Sequence, residues 1–261
     1  MLSGCGNAPE STAWITLVDG TNTLANALFS GADEMVFKIF APEGRTPVAC
    51  NVFLLRAMDG NEQRNILIDT GMGAGLMDEL AAAGLAPGDV TDILITHTHF
   101  DHVGGLLAAD GESPAFPEAT LHITRAELEY WRTSQADKAR ACEEAYPLTF
   151  ILPDGETPVV LPNLVALDAA GHTPGHVVFL LNNRQKQLFA GDLLHSDLLQ
   201  FANPEVCASF DVDREAAVAA RLKILARAAD ENWGFQSCHV IQPGRVKRDG
   251  DAFKWQPAVK K

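Results

Sequence analysis

The chain has 261 residues, of which 47% are hydrophobic and 21% are charged, a composition that excludes a disordered, collagen-like or coiled-coil protein. Its formal net charge is −14 at pH 7. Such a surface repels phosphate backbones and anionic lipids, so we expect no nucleic-acid partner and no binding to a membrane surface. Since no apolar run approaches the ~20 residues that cross a bilayer, we also expect no membrane span.

The predicted elements begin with a partly ordered N-terminal arm at residues 1–34, followed by one domain at residues 35–261. We predict strands at 35–40, 48–56 and 65–68, a helix at 75–83, a strand at 92–96 and a helix start at 101–105. Further along we predict a strand at 120–124, helices at 125–146, and strands at 164–167, 177–181 and 187–190. A helix at 214–229, with Val218, Leu222, Leu225 and Ala229 on one face, and a strand at 252–255 complete the chain. Strands and helices interleave, which indicates an α/β layered domain.

The cysteines indicate neither a disulfide framework nor a thiolate zinc site. Their number, five, is odd, and no two have CxxC spacing, so we expect free and buried thiols. Leu2-Ser3-Gly4-Cys5 has the form of a lipoprotein processing box, but no charged and apolar segment precedes it. We therefore expect a cytoplasmic protein by default, and a periplasmic or lipid-anchored one if a signal segment lies upstream.

Three of the eight histidines fall in the short segment Thr96-His97-Thr98-His99-Phe100-Asp101-His102. The segment begins where the apolar strand 92–96 ends, and ligands of α/β sheets bind beyond such strand ends. His97 and His99 are two residues apart in an extended stretch, so both side chains point to one side. Asp101 and His102 follow at a helix start and can face a neighbouring point. Imidazole and carboxylate groups bind zinc, iron and manganese, so the segment suits two adjacent divalent ions.

Three later segments place further candidate ligands at turns and strand ends. His172 lies in the turn 171–176, Asp192 follows the apolar strand 187–190, and His239 follows the long helix. Each feature alone is common in loops and helix caps. Their order after the histidine-rich segment is what indicates a shared site. We expect His122 and His176 to be structural.

These segments resemble the motifs of the metallo-β-lactamase superfamily, in the same order, at residues 67–71, 96–105, 171–176, 191–192 and 239. The resemblance extends over roughly residues 35–256. It implies a four-layer αββα sandwich with two mixed sheets and a metal site at one edge between them.

By position, the resemblance also implies seven metal ligands and one supporting residue. The ligands are His97, His99 and His172 for a first metal, Asp101, His102 and His239 for a second, and Asp192 bridging both. Asp69 would orient the histidine-rich segment from outside, as metal sites commonly require. The cofactors would be two divalent ions per chain, zinc first, with iron, manganese and cobalt as alternatives.

The second half is most similar to the branch that contains methyl parathion hydrolase and the quorum-quenching lactonases, through residues 191–195, 200–204 and 209–213. His195 lies three residues after Asp192, where the better-known acyl-homoserine lactone lactonases have a tyrosine that helps the substrate. We therefore predict His195, together with Asp101, as a catalytic residue that contacts the substrate or supports a ligand. A true β-lactamase is disfavoured, because those enzymes have a cysteine ligand or a serine at the position of Asp192.

Five neutral imidazoles and two carboxylates leave two divalent ions with uncompensated positive charge, which a bridging hydroxide would reduce. Metal binding lowers the pKa of water from about 15.7 to about 7, so this nucleophile exists at neutral pH. We expect a dinuclear hydrolase that uses the hydroxide to cleave a small lactone, carboxylic ester or phosphotriester. Asp101 would pass a proton to the leaving group. A neutral or weakly anionic substrate suits both the positive site and the acidic surface.

Three alternatives stay open. The first is a thioester hydrolase of the glyoxalase II type, although the C-terminal portion lacks the basic patch expected for a glutathione thioester. The second is a persulfide dioxygenase with a single iron, against which the complete set of seven ligand positions argues. The third is a metal-binding module without turnover. A homodimer is compatible with the resemblance, and nothing else in the sequence indicates one.

Overall fold

The computed structural model describes residues 12–258, and its strands form two large sheets and one two-stranded sheet. The strands are β1 (Ala13–Ala25), β2 (Phe29–Ser30), β3 (Arg45–Asp59), β4 (Glu62–Ile68), β5 (Asp92–Leu94), β6 (Thr120–Ile123), β7 (Leu148–Phe150), β8 (Asp154–Val159), β9 (Leu161–Asp168), β10 (Val177–Leu181), β11 (Gln187–Phe189), β12 (Cys207–Ala208), β13 (Gly234–Gln236), β14 (Gly244–Asp249) and β15 (Ala252–Pro257). The helices are α1 (Glu34–Phe40), α2 (Leu76–Ala82), α3 (Phe100–Val103), α4 (Arg125–Ser134), α5 (Ala136–Ala145), α6 (Asp197–Gln200) and α7 (Arg214–Asp230).

The two large sheets are both mixed. The first has the strand order β1-β3-β4-β5-β6-β7, and the second has the order β15-β14-β13-β11-β10-β9-β8. In the first sheet β4, β5, β6 and β7 are parallel neighbours. In the second, β11 and β13 are parallel. The carboxyl ends of these parallel strands lead into loops where polar side chains can gather.

Side-chain alternation along β3 shows how the layers arise, since neighbouring residues of a strand face opposite sides. Phe53 faces the second sheet and shares a buried cluster with Phe179. Leu54 faces the other way and shares a cluster with Leu80 of α2 and Trp131 of α4. The outer face of the second sheet packs against α7 in a further cluster. The layers are helix, sheet, sheet and helix, which confirms the predicted αββα sandwich.

The described part of the predicted N-terminal arm contributes β1 to the first sheet, while β2 pairs with β12 in the two-stranded sheet. Strand β1 pairs with β3 at both of its ends, with an irregularity between Val18 and Gly20. The buried Asp19 side chain accepts hydrogen bonds from the backbone N–H groups of Met72, Gly75 and Leu76 at 2.7, 2.6 and 2.8 Å. A carboxylate from β1 thereby caps the first turn of α2, where it satisfies otherwise unpaired N–H groups.

Residues 35–40 form helix α1 instead of the predicted strand. Asp33 caps the helix, since its side chain accepts a hydrogen bond from the Val36 N–H at 3.0 Å. Met35 and Ile39 are exposed, at 60% and 61%, while Val36 packs against a small buried cluster. A six-residue apolar run of this kind does not separate helix from strand, and here the cap and the one-sided burial favour the helix.

The buried face of α7 is offset from the predicted one. The prediction placed Val218, Leu222, Leu225 and Ala229 on it, whereas the buried residues are Ala217, Arg221, Ile224, Leu225 and Ala228. Arg221 is only 1% exposed, and its guanidinium donates to the carbonyl groups of Leu193, Pro204 and Val206. These bonds satisfy a buried charge that a hydropathy pattern assigns to the surface.

The described residues also bear on the expected free cysteines and on the expected lack of a membrane-spanning helix. The four cysteines within 12–258 are free and buried, in line with the expected thiols. Cys5 and the processing box lie outside the described residues. Among the helices of residues 12–258, none combines the length and the apolar character needed to cross a bilayer.

Candidate metal centre

The candidate ligands lie on five loops at one edge of the sandwich. Asp69 follows β4, the histidine-rich segment follows β5, and His172 follows β9. Asp192 follows β11 and His239 follows β13. The structure therefore brings together all the site residues predicted from the sequence.

Three histidines form a first cluster, which comprises His97, His99 and His172. The distances between their facing nitrogens are 3.1 Å from His97 Nε2 to His99 Nδ1 and 3.2 Å from His97 Nε2 to His172 Nε2. His99 Nδ1 lies 2.9 Å from His172 Nε2. Burial lowers the pKa of His97 well below its ordinary value and that of His99 to about 4. Both imidazoles are then neutral, with lone pairs available to a cation.

A second cluster comprises Asp101, His102 and His239. Asp101 Oδ1 is 3.9 Å from His102 Nε2, and Asp101 Oδ2 is 3.6 Å from His239 Nε2. Burial opposes ionisation of Asp101, but the neighbouring His102 and His239 keep the pKa of its carboxyl below the usual value. This cluster therefore offers one carboxylate and two imidazoles.

Asp192 lies between the two clusters and is 2% exposed. Its Oδ2 is 3.3 Å from His172 Nε2 in the first cluster and 3.1 Å from His239 Nε2 in the second. Its Oδ1 is 3.1 Å from His102 Nε2. Although burial raises the pKa of a carboxyl, the surrounding histidines hold that of Asp192 well below its ordinary value. The group is a buried carboxylate in contact with both clusters.

Unpaired polar atoms concentrate at this point and test whether the residues fit metal ions. Among residues 12–258, the buried side-chain atoms without a hydrogen-bond partner include His102 Nε2, Asp192 Oδ1 and both ring nitrogens of His195. A buried polar atom without a partner costs about 1–3 kcal/mol. A neutral imidazole nitrogen and a carboxylate oxygen are both ligands of zinc. The donor set therefore fits divalent cations.

The outer ring nitrogens of three candidate ligands are fixed by hydrogen bonds. His172 Nδ1 donates to Asp211 Oδ1 at 2.8 Å, His102 Nδ1 donates to Asp69 Oδ2 at 2.8 Å, and His239 Nδ1 donates to the Ala49 carbonyl at 2.9 Å. Each bond places a proton on the outer nitrogen, so the neutral imidazole presents the lone pair of its inner nitrogen. The resemblance implied such a role for Asp69. Asp211 lies in the segment 209–213, and the sequence indicated no role for it.

The remaining histidines near the site have distinct surroundings. His176 Nε2 accepts a hydrogen bond from the Asp192 N–H at 3.2 Å, and a Cβ on Gly191 would come within 2.7 Å of the same nitrogen. His176 thus holds the backbone of Asp192, in agreement with its expected structural role. His195 is 1% exposed, and its Nε2 lies 3.1 Å from Asp192 Oδ2. The ring of His195 stacks on that of His239.

A cavity of about 350 Å³ opens onto the clusters. Its lining consists of Leu24, His99, Phe100, Asp101, Asp192, His195, Phe210 and His239. A larger cavity of about 910 Å³ lies elsewhere, and its lining contains no histidine and no carboxylate. Size alone therefore does not identify the site, whereas convergent polar groups do.

Comparisons with known sequences agree with the fold. Residues 45–255 match the family described as the metallo-beta-lactamase superfamily. The hydroxyacylglutathione hydrolase of Xylella fastidiosa (strain M23) is 31% identical over 145 residues, which cover 56% of this chain and 45% of that protein. The beta-lactamase-like protein 2 homolog of Drosophila melanogaster is 28% identical over 163 residues, covering 59% and 49%. The matches span about half the length of these relatives.

Solved structures are similar over nearly the whole chain. AidC, a dizinc quorum-quenching lactonase, has a TM-score of 0.86 at 24% identity, covering 98% of this chain and 97% of its own. The hydrolase AbOPH, of the beta lactamase superfamily, has a TM-score of 0.80 at 25% identity, covering 96% and 95%. These likenesses show that the two mixed sheets and their helices follow a shared fold from end to end.

Proposed function

The chain belongs to the metallo-beta-lactamase superfamily, and we propose that it is a dinuclear metal-dependent hydrolase of small lactones, carboxylic esters or phosphotriesters. The single observation that carries the proposal is the position of Asp192, a buried carboxylate in contact with a three-histidine cluster on one side and a mixed cluster on the other. A carboxylate shared by two donor sets would suit a pair of divalent ions held close together.

We assign the first cluster and Asp192 to one ion, and the second cluster and Asp192 to the other. When bound there, two divalent ions, zinc first, would supply an activated water molecule and would polarise the carbonyl or phosphoryl oxygen that is attacked. The tautomers fixed by Asp69, Asp211 and the Ala49 carbonyl keep the inner nitrogens available to these ions.

Asp101 is placed to hold a proton. Both Asp101 and Asp192 line the cavity. The Asp101 side chain is 35% exposed, whereas that of Asp192 is buried. A carboxylate oxygen of Asp101 can accept a hydrogen bond from the attacking water and pass a proton to the leaving group. The role needs a carboxylate at this point and an approach from the cavity, and Asp101 provides both.

His195 is proposed to bind the substrate. It lines the cavity, and neither of its ring nitrogens has a hydrogen-bond partner within the described chain. Its backbone is held firmly, because the Gln200 side-chain carbonyl accepts hydrogen bonds from the N–H groups of His195 and Ser196 at 2.7 and 3.1 Å. The ring is therefore pre-positioned at the wall of the cavity, where we assign it to binding a substrate oxygen.

The cavity favours small substrates with an apolar part. Leu24, Phe100 and Phe210 supply its apolar wall, and the lining contains no lysine and no arginine. The volume of about 350 Å³ lies near the lower end of the range for small-molecule sites, about 300–1,000 Å³. Esters and lactones with a short acyl or aryl group meet these conditions, while a large polyanion does not.

A thioester hydrolase is the second candidate. It is favoured by the sequence relatives, several of which are hydroxyacylglutathione hydrolases. The cavity argues against it, because a glutathione thioester bears carboxylates that no lysine or arginine of the lining would meet.

A substrate screen tests the proposal. Zinc-loaded protein of measured metal content is assayed with lactones, aryl esters, phosphotriesters and a glutathione thioester, with Asp192→Ala as the blank. We expect two metal ions per chain and activity on the first three classes. Activity confined to the thioester would favour the second candidate. Protein that holds one iron per chain as purified, before zinc loading, and consumes oxygen would favour a dioxygenase.

Substitution of Asp101 tests the proton step. Asp101→Asn keeps the side-chain shape but removes the proton acceptor, so we expect turnover to fall by about 10²–10⁴-fold. Metal content is measured in the same sample to separate proton transfer from metal loss. Near-wild-type turnover by a fully loaded variant would contradict the role.

A further inference from the structure

Glu127, in the first turn of α4, is a buried carboxylate outside the ligand set. It is 1% exposed. Its Oε1 accepts hydrogen bonds from the N–H and the hydroxyl group of Thr98 at 2.7 and 2.8 Å. Its Oε2 accepts hydrogen bonds from the Thr173 hydroxyl at 2.7 Å and the Gly175 N–H at 3.0 Å. One carboxylate thus joins two loops that are far apart in the sequence.

The two loops are those of the first cluster. Thr98 stands between His97 and His99, and Thr173 directly follows His172. All three nitrogens of the cluster are therefore supplied by loops that Glu127 holds together. A hydrogen bond to a charged group contributes about 1.5–3 kcal/mol, so four such bonds make this junction stiffer than a loop contact through neutral groups.

The local sequence is adapted to this close approach. A Cβ on Gly175 would lie 2.2 Å from the Glu127 nitrogen, so only glycine lets the loop reach the helix. Thr124 Oγ1 donates to the Gly175 carbonyl at 3.0 Å, and Gln135 Nε2 donates to the Thr98 carbonyl at 2.8 Å. Helix α4 thereby binds both loops at several points, with Glu127 at the centre.

The cost of burying Glu127 indicates a purpose beyond helix capping. Thr124 and Glu127 have the spacing of a capping box, in which the glutamate would return to the cap residue. Here the four side-chain hydrogen bonds go to the two loops instead. Burial raises the pKa of Glu127, and the opposing influences are hydrogen bonds, with no neighbouring cation among them. A buried carboxylate whose hydrogen bonds are all satisfied makes the surrounding structure rigid and fixes one arrangement of the groups that it joins.

We propose that Glu127 is a positioning residue that fixes the separation of the two loops and so sets the three-histidine face for the first metal. The inference rests on the proposed metal centre and goes beyond it, since Glu127 contacts neither the ions nor the substrate. Residues of this kind change metal affinity by about 10–100-fold when they are replaced.

The test replaces the carboxylate by an amide of the same size. In Glu127→Gln the NH₂ group cannot accept a hydrogen bond, so either the Thr98 N–H or the Gly175 N–H loses its partner. The matched control is Glu129→Gln, an exposed position on the same helix. Metal-free proteins are titrated with Zn²⁺ against a competing chelator, and the visible absorption of the Co²⁺ forms is recorded.

We expect one of the two zinc ions to bind about 10–100-fold more weakly in Glu127→Gln, with an altered Co²⁺ spectrum, and no change in Glu129→Gln. The same weakening should appear in a His239→Ala background, in which the second cluster is impaired and the first remains. Should Glu127→Gln fail to fold, Thr173→Val removes a single hydroxyl donor and should weaken the same ion to a smaller degree.

The other outcomes distinguish failure of the Glu127 inference from failure of the proposed function. Unchanged zinc affinity and Co²⁺ spectrum show that Glu127 does not position the first cluster, and equal weakening of both ions shows a general structural role. A wild-type protein that takes up no zinc overturns the proposed function as well. A wild-type protein that binds two zinc ions without hydrolysing any substrate removes the hydrolase proposal and leaves the Glu127 result intact.

Discussion

Two histidines of the first sheet region, His102 and His122, make the same kind of bond with different surroundings. His102 Nδ1 donates to Asp69 Oδ2 at 2.8 Å, and His122 Nε2 donates to Asp92 Oδ1 at 2.9 Å. All four residues are buried. A buried histidine paired with a carboxylate is therefore found both inside and outside the candidate metal centre.

The two pairs differ in what surrounds the polar atoms that do not take part in the shared hydrogen bond. The second nitrogen of His102 has no hydrogen-bond partner within the described residues and lies 3.1 Å from Asp192 Oδ1. The carboxylate of Asp92 also accepts a hydrogen bond from Thr91 Oγ1 at 2.8 Å and lies 3.5 Å from Arg64 Nη1. A buried histidine–carboxylate pair therefore does not by itself indicate a metal ligand. What indicates one is convergence of the unpaired nitrogen with other donors.

The largest expected difference in zinc content and hydrolysis rate is between the variants that lack the His102 and the His122 imidazole. His102→Ala removes a donor of the second cluster, so we expect loss of one zinc ion and at least a hundredfold lower hydrolysis. His122→Ala should keep both ions and the wild-type rate. Each variant leaves a buried carboxylate with one hydrogen bond fewer, so both should lose about 1–3 kcal/mol of unfolding free energy. Metal analysis, initial rates and urea unfolding measure the three quantities, and loss of zinc in His122→Ala would break the distinction.

A smaller effect is expected from the carboxylates behind the two rings. Asp69 has a φ of 62°, a conformation that asparagine tolerates, so Asp69→Asn leaves the backbone unstrained. The amide cannot accept all the hydrogen bonds that Thr96 and His102 donate to the carboxylate. We expect about 10–100-fold weaker binding of one zinc ion, measured against a competing chelator. Asp92→Asn is the matched control, and equal zinc affinities in the two variants would contradict the comparison.

Strand and helix periodicity depends on neighbouring residues, so it predicted an α/β layered domain, whereas the four-layer sandwich was implied by the resemblance to the superfamily. The candidate ligands could be located because each lies directly beyond a strand or in a glycine-bounded turn, and the resemblance implied their grouping around two metals. Asp211 and Glu127 could not be assigned roles, because a side chain that supports a loop distant in sequence has no characteristic spacing. Glu127 also looks like an ordinary capping glutamate. The structure alone shows its four bonds to the loops.

Two fold predictions failed for physical reasons of the same kind. Residues 35–40 are a short apolar run, and their helix depends on the Asp33 cap and on packing against residues that the run does not contain. The predicted buried face of α7 carried only apolar residues and therefore left out Arg221. Its carbonyl partners come from the segment 193–206, so only the tertiary contacts reveal that the charge is buried.

The smallest expected effect is a pH dependence of stability at the Asp92–His122 pair, outside the candidate metal centre. Burial disfavours the carboxylate, yet the hydrogen bonds from His122 and Thr91 outweigh it and keep the pKa of Asp92 below its ordinary value of 3.8. A carboxyl whose pKa is lowered by folding stabilises the protein above that value, and the contribution is lost as the pH falls through the folded-state pKa.

Asp92→Asn should therefore lower the unfolding free energy by about 1 kcal/mol at pH 7, with the difference from wild type shrinking below about pH 4. Urea unfolding of both proteins at pH 7, 5 and 3.5 measures the difference, and any metal-linked loss common to both cancels. A difference that stays constant over this range would show that Asp92 does not stabilise the fold through its charge, and the pair would then differ from His102–Asp69 in its chemistry as well as in its surroundings.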